Sequence, residues 1–452
     1  MSKATSGLLI AVAVIILELI GGMQAYLNQL ILPIMAKDLD AQSSYGIILG
    51  VSAVASMAGL PLGAALMNRM RLSKILLGAT ALLVTGAFTS ALAPDAVIYI
   101  IGSALRGLAG SVLAMSSIGA VTLGLSGLAR QLTLAFASAS WVIASIVGPT
   151  YAAWVTHLLS WRWAMLLYLP LLVVARIVIA VNLDTQEREA DAPFSYLALI
   201  LIVVGVGVTV IPAAGALKIA LLVVGVVVLG RVVVLLMPEG TFTQRTPRRA
   251  ALAGMFFLTG GYFAANELVT LTAHDIHHAG ADSLGFIMLG GGVAWAILGV
   301  MCGMKPAVTH RASRIRSGAG LGLLIATATA IGAWVLSQWQ TSSPISMFVI
   351  LWTIAGIGMG LTYLDTLNIF FEDPAVPDGI TLEQMASSSV IVESLSSTMF
   401  IPLATSLVAT AFTHDHVTST VPYGVAWVLV VALACTALLY LRHAQPATAT
   451  AT

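Results

Sequence analysis

Four acidic side chains stand inside long apolar runs: Glu18 in VIILELIGGMQAYLNQ, Glu267 in YFAANELVTLTAHD, Asp365 after GIGMGLTYL, and Glu393 in ASSSVIVESLSST. Arg106, in SALRGLAGSVLAMSS, and Arg176 are the basic counterparts. An ionisable group at the centre of a bilayer costs at least ~2.5–3.5 kcal/mol on insertion scales, so such groups usually face a water-filled cavity and carry function. A carboxylate in that position can exchange a proton or hold a cation. At helical spacing Glu18 shares a face with Gly21, Gly22, Ala25, Asn28 and Gln29, with Ile15, Ile16, Leu19 and Leu30 opposite. That small, polar face reads as a cavity wall; close glycine packing around a neutral Glu18 is the alternative. Arg106 shares its face with Ser103, Gly107, Gly110, Ala114 and Ser117. An arginine cannot be deprotonated in a protein, and Glu18 is its expected partner. Glu267 has Phe263, Thr270 and His274 one turn away, and Glu393 has Ser389, Ser396 and Ser397 alongside. Structural pairing is the alternative for Arg106, and for Asp365 a solvated helix end.

Aromatic residues at the same depth include Tyr26, Trp141, Phe256, Phe263, Trp352 and Tyr363. With the acids they could hold a lipophilic cation through cation–π and charge contacts; ordinary packing is the alternative. Gln24, Tyr26, Asn28, Trp141, Phe263 and Tyr363 form the candidate substrate cavity. The histidines His157, His274, His277, His278, His414 and His416 fall in the segments read as outer loops, and HDIHH has spacing that could bind a metal. A solvated loop is the favoured reading, so neither a metal nor a cofactor is expected. No nucleophile–base set or phosphate-binding glycine loop suggests an enzyme.

The elements that must position these groups follow from composition. The 452 residues are 59% hydrophobic and only 9% charged, with a mean hydropathy of +1.00. Soluble domains carry roughly 25% charged residues, so a cytosolic enzyme and a nucleic-acid binder are excluded and an all-α integral membrane protein remains. Cys302 and Cys435 sit in apolar runs and suggest no disulfide framework. The first apolar run is too long for the ~15-residue core of a signal peptide and reads as a first span. With ~20 apolar residues per crossing, about fourteen spans are expected near 7–34, 44–67, 74–94, 96–123, 132–156, 163–183, 194–212, 219–237, 251–273, 283–303, 317–337, 345–370, 386–412 and 421–441. Placing the N-terminus in the cytoplasm puts fourteen of the 20 basic residues inside and only Lys37, Arg162 and Lys218 outside. Both termini are therefore expected in the cytoplasm. Residues 1–183 and 251–452 read as two six-helix bundles. Between them, 184–250 reads as a linker carrying a peripheral transmembrane hairpin at 194–237.

Several motifs resemble the major facilitator superfamily, specifically its fourteen-span drug:proton antiporter branch. RGLAG (106–110) resembles the family's Arg-x-x-x-Gly motif, and SIVGPTYAAW resembles its antiporter motif through Gly148 and Pro149, with alanines at the last two glycine places. SWRWAMLLYLP (160–170) resembles the branch's Trp-Arg-Trp signature, LPIMAKDL (32–39) the end of its first-helix motif, and MASSS (385–389) the start of a late helix. In the loop that usually carries an Asp-Arg pair, this chain has Asn68 and Arg69; Gln24 stands where the first-helix Asp is usual, and Glu18 is the candidate replacement.

The resemblance implies a cell-membrane transporter working by alternating access, with the two bundles rocking about a central cavity. It implies proton-coupled efflux of lipophilic or cationic small molecules. Glu18, Arg106, Glu267, Asp365 and Glu393 are then the proton-coupling candidates, and Asn68, Arg69, Gly148 and Pro149 the gating motifs. The expected partners are a small-molecule substrate, protons and the bilayer, with no nucleic acid, for a monomer. A dedicated exporter of a metabolite or lipid, an importer of a small solute, and a non-transporting sensor or scaffold are the alternatives.

Overall fold

In hydrocarbon every backbone amide must be satisfied internally, and a helix does this within its own segment. The computed structural model describes residues 3–67, 69–125, 127–182, 196–213, 215–305, 307, 309–337, 345–372, 378–380, 382–413 and 416–444, most of them helical. Asn68, the polar linker 184–193 and His414 lie outside the described residues, and the side chain of His416 is not described.

The chain divides into two compact units, Met1–Ala41 with Ile48–Leu199, and Gln42–Ile47 with Ile200–Thr452. In chain order the helices are α1 (Lys3–Asp38), α2 (Tyr45–Met67), α3 (Leu72–Ala91), α4 (Ala96–Gly124), α5 (Gly127–Leu158), α6 (Trp161–Ala164), α7 (Leu169–Asn182) and α8 (Tyr196–Val210). They continue as α9 (Gly215–Leu236), α10 (Pro247–Asp275), α11 (Ala281–Met304), α12 (His310–Ser337), α13 (Ile345–Phe371), α14 (Leu382–Ala409) and α15 (Val421–Leu441). A two-stranded antiparallel ribbon, β1 (Phe412–Thr413) and β2 (His416–Val417), precedes α15. Among the described residues, eleven helical segments are long and apolar enough to cross a membrane, with α6 and α7 counted together as Trp161–Asn182. Helices α5, α8 and α10 do not meet that standard; α8 has only 15 residues, and α10 carries Arg248, Arg249, Asn266, Glu267 and Asp275.

Local chemistry starts several helices. The Asp95 side chain accepts from the Ile98 amide at 2.9 Å and caps α4. Prolines in the first turns of α10 and α15 sit where no amide donor is needed.

In the first unit α1 packs on α5 and α7, and α3 packs on α4. Leu27, Leu30, Ile31 and Met35 of α1 are fully buried, so Leu30, on the face opposite Glu18, does not meet lipid. In the second unit α10 packs against α13, α14 and α15, while α11 and α12 both pack on α13. Arg248 donates from Nε to the Glu372 carbonyl at 2.7 Å and lies 3.5 Å from Asp378. Arg249 donates to the Glu239 carbonyl at 2.9 Å. These arginines tie loops to the start of α10. Of the two charges in the segment read as a hairpin, Lys218 turns inward and donates to the carbonyls of Thr209 and Ile211 at 2.8 and 3.1 Å. It thereby satisfies acceptors left open where α8 ends.

Candidate functional site

The first unit holds two polar layers. In one, Arg106 of α4 donates from Nη2 to the Asn28 side-chain oxygen of α1 at 2.9 Å. Tyr99 and Tyr168, both buried, lie within electrostatic range of the same guanidinium. In the other, the Trp141 indole of α5 donates to Glu18 Oε2 at 3.2 Å. Arg176 of α7 is buried, is acted on by the Glu18 charge, and donates to Ser117 Oγ of α4 at 2.6 Å. Arg176 Nε has no hydrogen-bond partner among the described residues.

The expected pairing of Arg106 with Glu18 is therefore not what the fold makes. Asn28 lies ten residues beyond Glu18, about 15 Å along a helix at 1.5 Å per residue. Arg106, bound to Asn28, is held in the wrong layer. The arginine on which the Glu18 charge acts is Arg176, a residue visible in the sequence as an in-span arginine but carrying no motif.

Gly148 of α5 and Gly22 of α1 lie where the two helices cross closely, near Trp141. A Cβ on Gly148 would lie 3.1 Å from the Tyr26 Cβ and 3.2 Å from the Met23 Cα, and one on Gly22 would lie 2.6 Å from the Ala144 Cβ. Only small residues allow this approach. Gln24, Tyr26 and Glu18 are half-buried, and Asn28 and Trp141 are exposed within this unit. At the other end of α1, two motifs meet. Trp161 donates from its indole to Asp38 at 3.1 Å, Arg162 pairs with the same carboxylate and donates to the Ala93 carbonyl at 3.2 Å, and the guanidinium lies 4.2 Å from the centre of the Trp161 ring. Arg69, by contrast, is exposed.

In the second unit Tyr363 of α13 donates its hydroxyl to Glu393 Oε1 of α14. From Tyr363 an aromatic chain runs to Trp295 (ring centroids 5.9 Å apart), on to Tyr262 (5.4 Å), and then to Trp352, stacked at 5.4 Å. Phe263 lies 6.3 Å from Trp295, and Glu267, one turn further along α10, is buried. Tyr262 and Trp295 were missed in the sequence because no charge or motif marks them. Phe256 instead joins Phe242, Phe257, Phe400 and Tyr440 in a separate packed cluster.

Asp365 is not at a solvated helix end. Its side chain is 2% exposed, Arg316 of α12 lies 3.2 Å away, and the Ala307 amide donates to it at 3.4 Å. The carboxylate is buried and ion-paired, and its arginine is partly exposed.

The HDIHH histidines diverge, and among the described residues no three metal-ligating side chains converge. His274 lies 2.9 Å from Asp275, which also accepts from Tyr45 at 3.0 Å and Tyr423 at 2.7 Å. His278 is exposed with a left-handed backbone (φ 55°). His277 is stacked on Trp334 at 5.0 Å with Phe348 edge-on at 5.2 Å, and neither ring nitrogen has a hydrogen-bond partner among the described residues. Burial, and then the charge of His278, hold His277 below the usual histidine value. The unfolded chain therefore takes up this proton first, near pH ~6.5, and native stability falls as pH drops from there through the folded value. The melting temperature of the purified protein should fall between pH 7.5 and 5.5, and His277→Phe should flatten that slope. An unchanged slope would locate the titration elsewhere.

Comparisons with known proteins match this geometry to a fold and a family. The family model of the Major Facilitator Superfamily matches residues 14–378. The "Multidrug efflux pump SdrM" of Staphylococcus aureus (strain N315) is 22% identical over 168 residues, which are 37% of this chain and 38% of that pump. The aligned part thus spans well under half of that relative. Among solved structures, a variant of the peptide transporter POT superposes with a TM-score of 0.66 at 15% identity, covering 97% of this chain and 98% of that one. The same transporter in complex with sulfate gives 0.65 at 15% identity, again covering 97% and 98%.

Proposed function

The chain belongs to the major facilitator superfamily, and on that footing we propose that it is a proton-coupled exporter of lipophilic or cationic small molecules working by alternating access. It is a multi-pass membrane protein and a secondary active transporter. The observation that carries the finer reading is Glu18, a half-buried carboxylate at membrane depth with Trp141 on one side and the charge of Arg176 acting against it. Antiport needs one group that releases its proton when substrate binds. Rocking of the two bundles changes which side of the membrane Glu18 faces, while Arg176, in the same bundle, travels with it. In the second unit Glu393, with the aromatic chain behind Tyr363, offers a charged and π-rich wall suited to a lipophilic cation. The partial likeness to a multidrug efflux pump supports the same substrate class.

The test is a transport screen in everted vesicles carrying a pH-sensitive dye. Dequenching by several unrelated lipophilic cations, each competing with the others, is the expected result. Dequenching by one compound without such competition would replace drug efflux with a dedicated substrate. No proton movement with any substrate would remove the coupling.

The same proposal includes fourteen spans, with α5, α8 and α10 completing the set. Bundles 1–183 and 251–452 are separated by the α8–α9 hairpin. The protein is a monomer of the cell membrane with both termini in the cytoplasm. Ala279 is buried, so the outer reporter of this topology is Gly280, which is exposed with open space at its Cβ. In a cysteine-free background, Gly280→Cys should react with an impermeant thiol reagent in intact cells and Thr243→Cys should not. The reverse pattern would invert the topology.

A further inference from the structure

At one end of the second unit a cavity of about 700 Å³ opens between the first turns of α12 and the end of α15. Arg314 and Ser317 line it from α12; Leu438, Leu441, Arg442 and His443 line it from α15 and the residues just after. Among the described residues, no acidic side chain lines it. Its size falls within the ~300–1,000 Å³ of ordinary ligand sites.

Arg316 spends its charge on Asp365 at 3.2 Å. Arg442 makes no ion pair among the described residues, and both Arg314 and Arg442 are exposed at the rim. A guanidinium is a planar fork of donors that matches phosphate oxygens bidentately, and two of them at one rim suit a group with a doubly shared negative charge. Leu438 and Leu441 supply an apolar wall from the same helix face. Charge above and hydrocarbon below is the pattern of an amphiphile whose head is a phosphate. Basic pockets between membrane helices are known to take anionic headgroups.

We propose that this cavity is a binding site for a phosphate-bearing anion, either the headgroup of an anionic phospholipid or a free organic phosphate. Arg314 and Arg442 hold the phosphate, with His443 lining the same cavity, and the leucines accept the start of an acyl chain when the source is a lipid. The site is separate from the polar layers assigned to transport, and it requires nothing of the substrate.

Purified transporter in neutral detergent is titrated with phosphatidylglycerol, with phosphatidylcholine and with glycerol phosphate at matched ionic strength, and binding is read by native mass spectrometry and by melting temperature. Phosphatidylglycerol should bind and stabilise well beyond phosphatidylcholine. The double variant Arg314→Gln/Arg442→Gln should weaken that binding by about tenfold or more, at the strength expected for two basic residues near a membrane surface. Arg442→Lys, which keeps the charge but not the fork, should lose less. Arg245→Gln, a charge change at an exposed position outside the cavity, should leave it unchanged. Stabilisation by glycerol phosphate as strong as that by the lipid, lost in the double variant, would assign the site to a free phosphate. Equal binding of phosphatidylglycerol and glycerol phosphate by the wild type and by a double variant that melts normally would overturn the site.

Discussion

Glu18→Gln should abolish substrate-driven proton release while leaving the protein folded and able to bind substrate. The amide keeps the shape of a protonated acid and can still meet the Trp141 indole, so the change removes the exchangeable proton more than the packing. Accumulation of substrate against its gradient should fall to the uncoupled level, an effect of tenfold or more, since a coupling carboxylate has no substitute in its own layer. Arg176→Gln removes the positive charge acting on Glu18, so substrate-driven proton release should fall below that of the wild type. It also strips Ser117 of its donor at 2.6 Å, which should lower the melting temperature modestly. A double-mutant cycle decides which arginine matters. Residues in one network couple by about 0.5–3 kcal/mol, whereas residues more than about 7–10 Å apart with no shared partner are additive. Glu18 and Arg176 should therefore couple, and Glu18 and Arg106 should add. Coupling to Arg106 alone would restore the pairing that the motif suggested and reject the layers described above. Wild-type pH dependence in Glu18→Gln would pass the proton to Glu267, Asp365 or Glu393.

The second large effect is on stability. Asp365→Ala removes a carboxylate that is 2% exposed, leaving Arg316 without its partner and the Ala307 amide without its acceptor. Breaking a buried pair on one side costs about 3–5 kcal/mol. The Arg316 side chain is 28% exposed, and water can recover part of its solvation, so the expected loss lies near the bottom of that range. Asp365→Asn should lose less, because the amide oxygen still accepts from Ala307. Asp365→Ala with Arg316→Leu should recover part of the loss, since no unpaired charge remains. These are melting-temperature measurements on purified protein. A variant Asp365→Ala that melts like the wild type but no longer releases protons would return Asp365 to the coupling machinery.

Much was legible in the sequence because the bilayer asks for so little. Its demand for about 20 apolar residues per crossing makes spans readable without knowing their neighbours, and the order of RGLAG, SIVGPTYAAW and SWRWAMLLYLP pointed to the transporter family. Helical spacing alone placed Glu18 with Asn28 and Gln29, and Glu393 with Ser396. The family of the fold follows from such local patterns because each is set within one helix. Pairing between helices is different: it depends on the depth at which each helix is held, and a sequence carries no depth scale across loops. Glu18 and Arg106 looked like partners because both were charged, in-span and on small-residue faces. The tertiary structure bonded Arg106 to Asn28 and set the charge of Glu18 against Arg176, because the Gly148–Tyr26 crossing and the packing of α7 on α1 set the levels. Asp365 likewise looked solvated at the end of its helix until the packing of α12 on α13 brought Arg316 over it. The residues and their helices were written in the chain; which charge meets which was decided only when close packing fixed the height of each helix against the next.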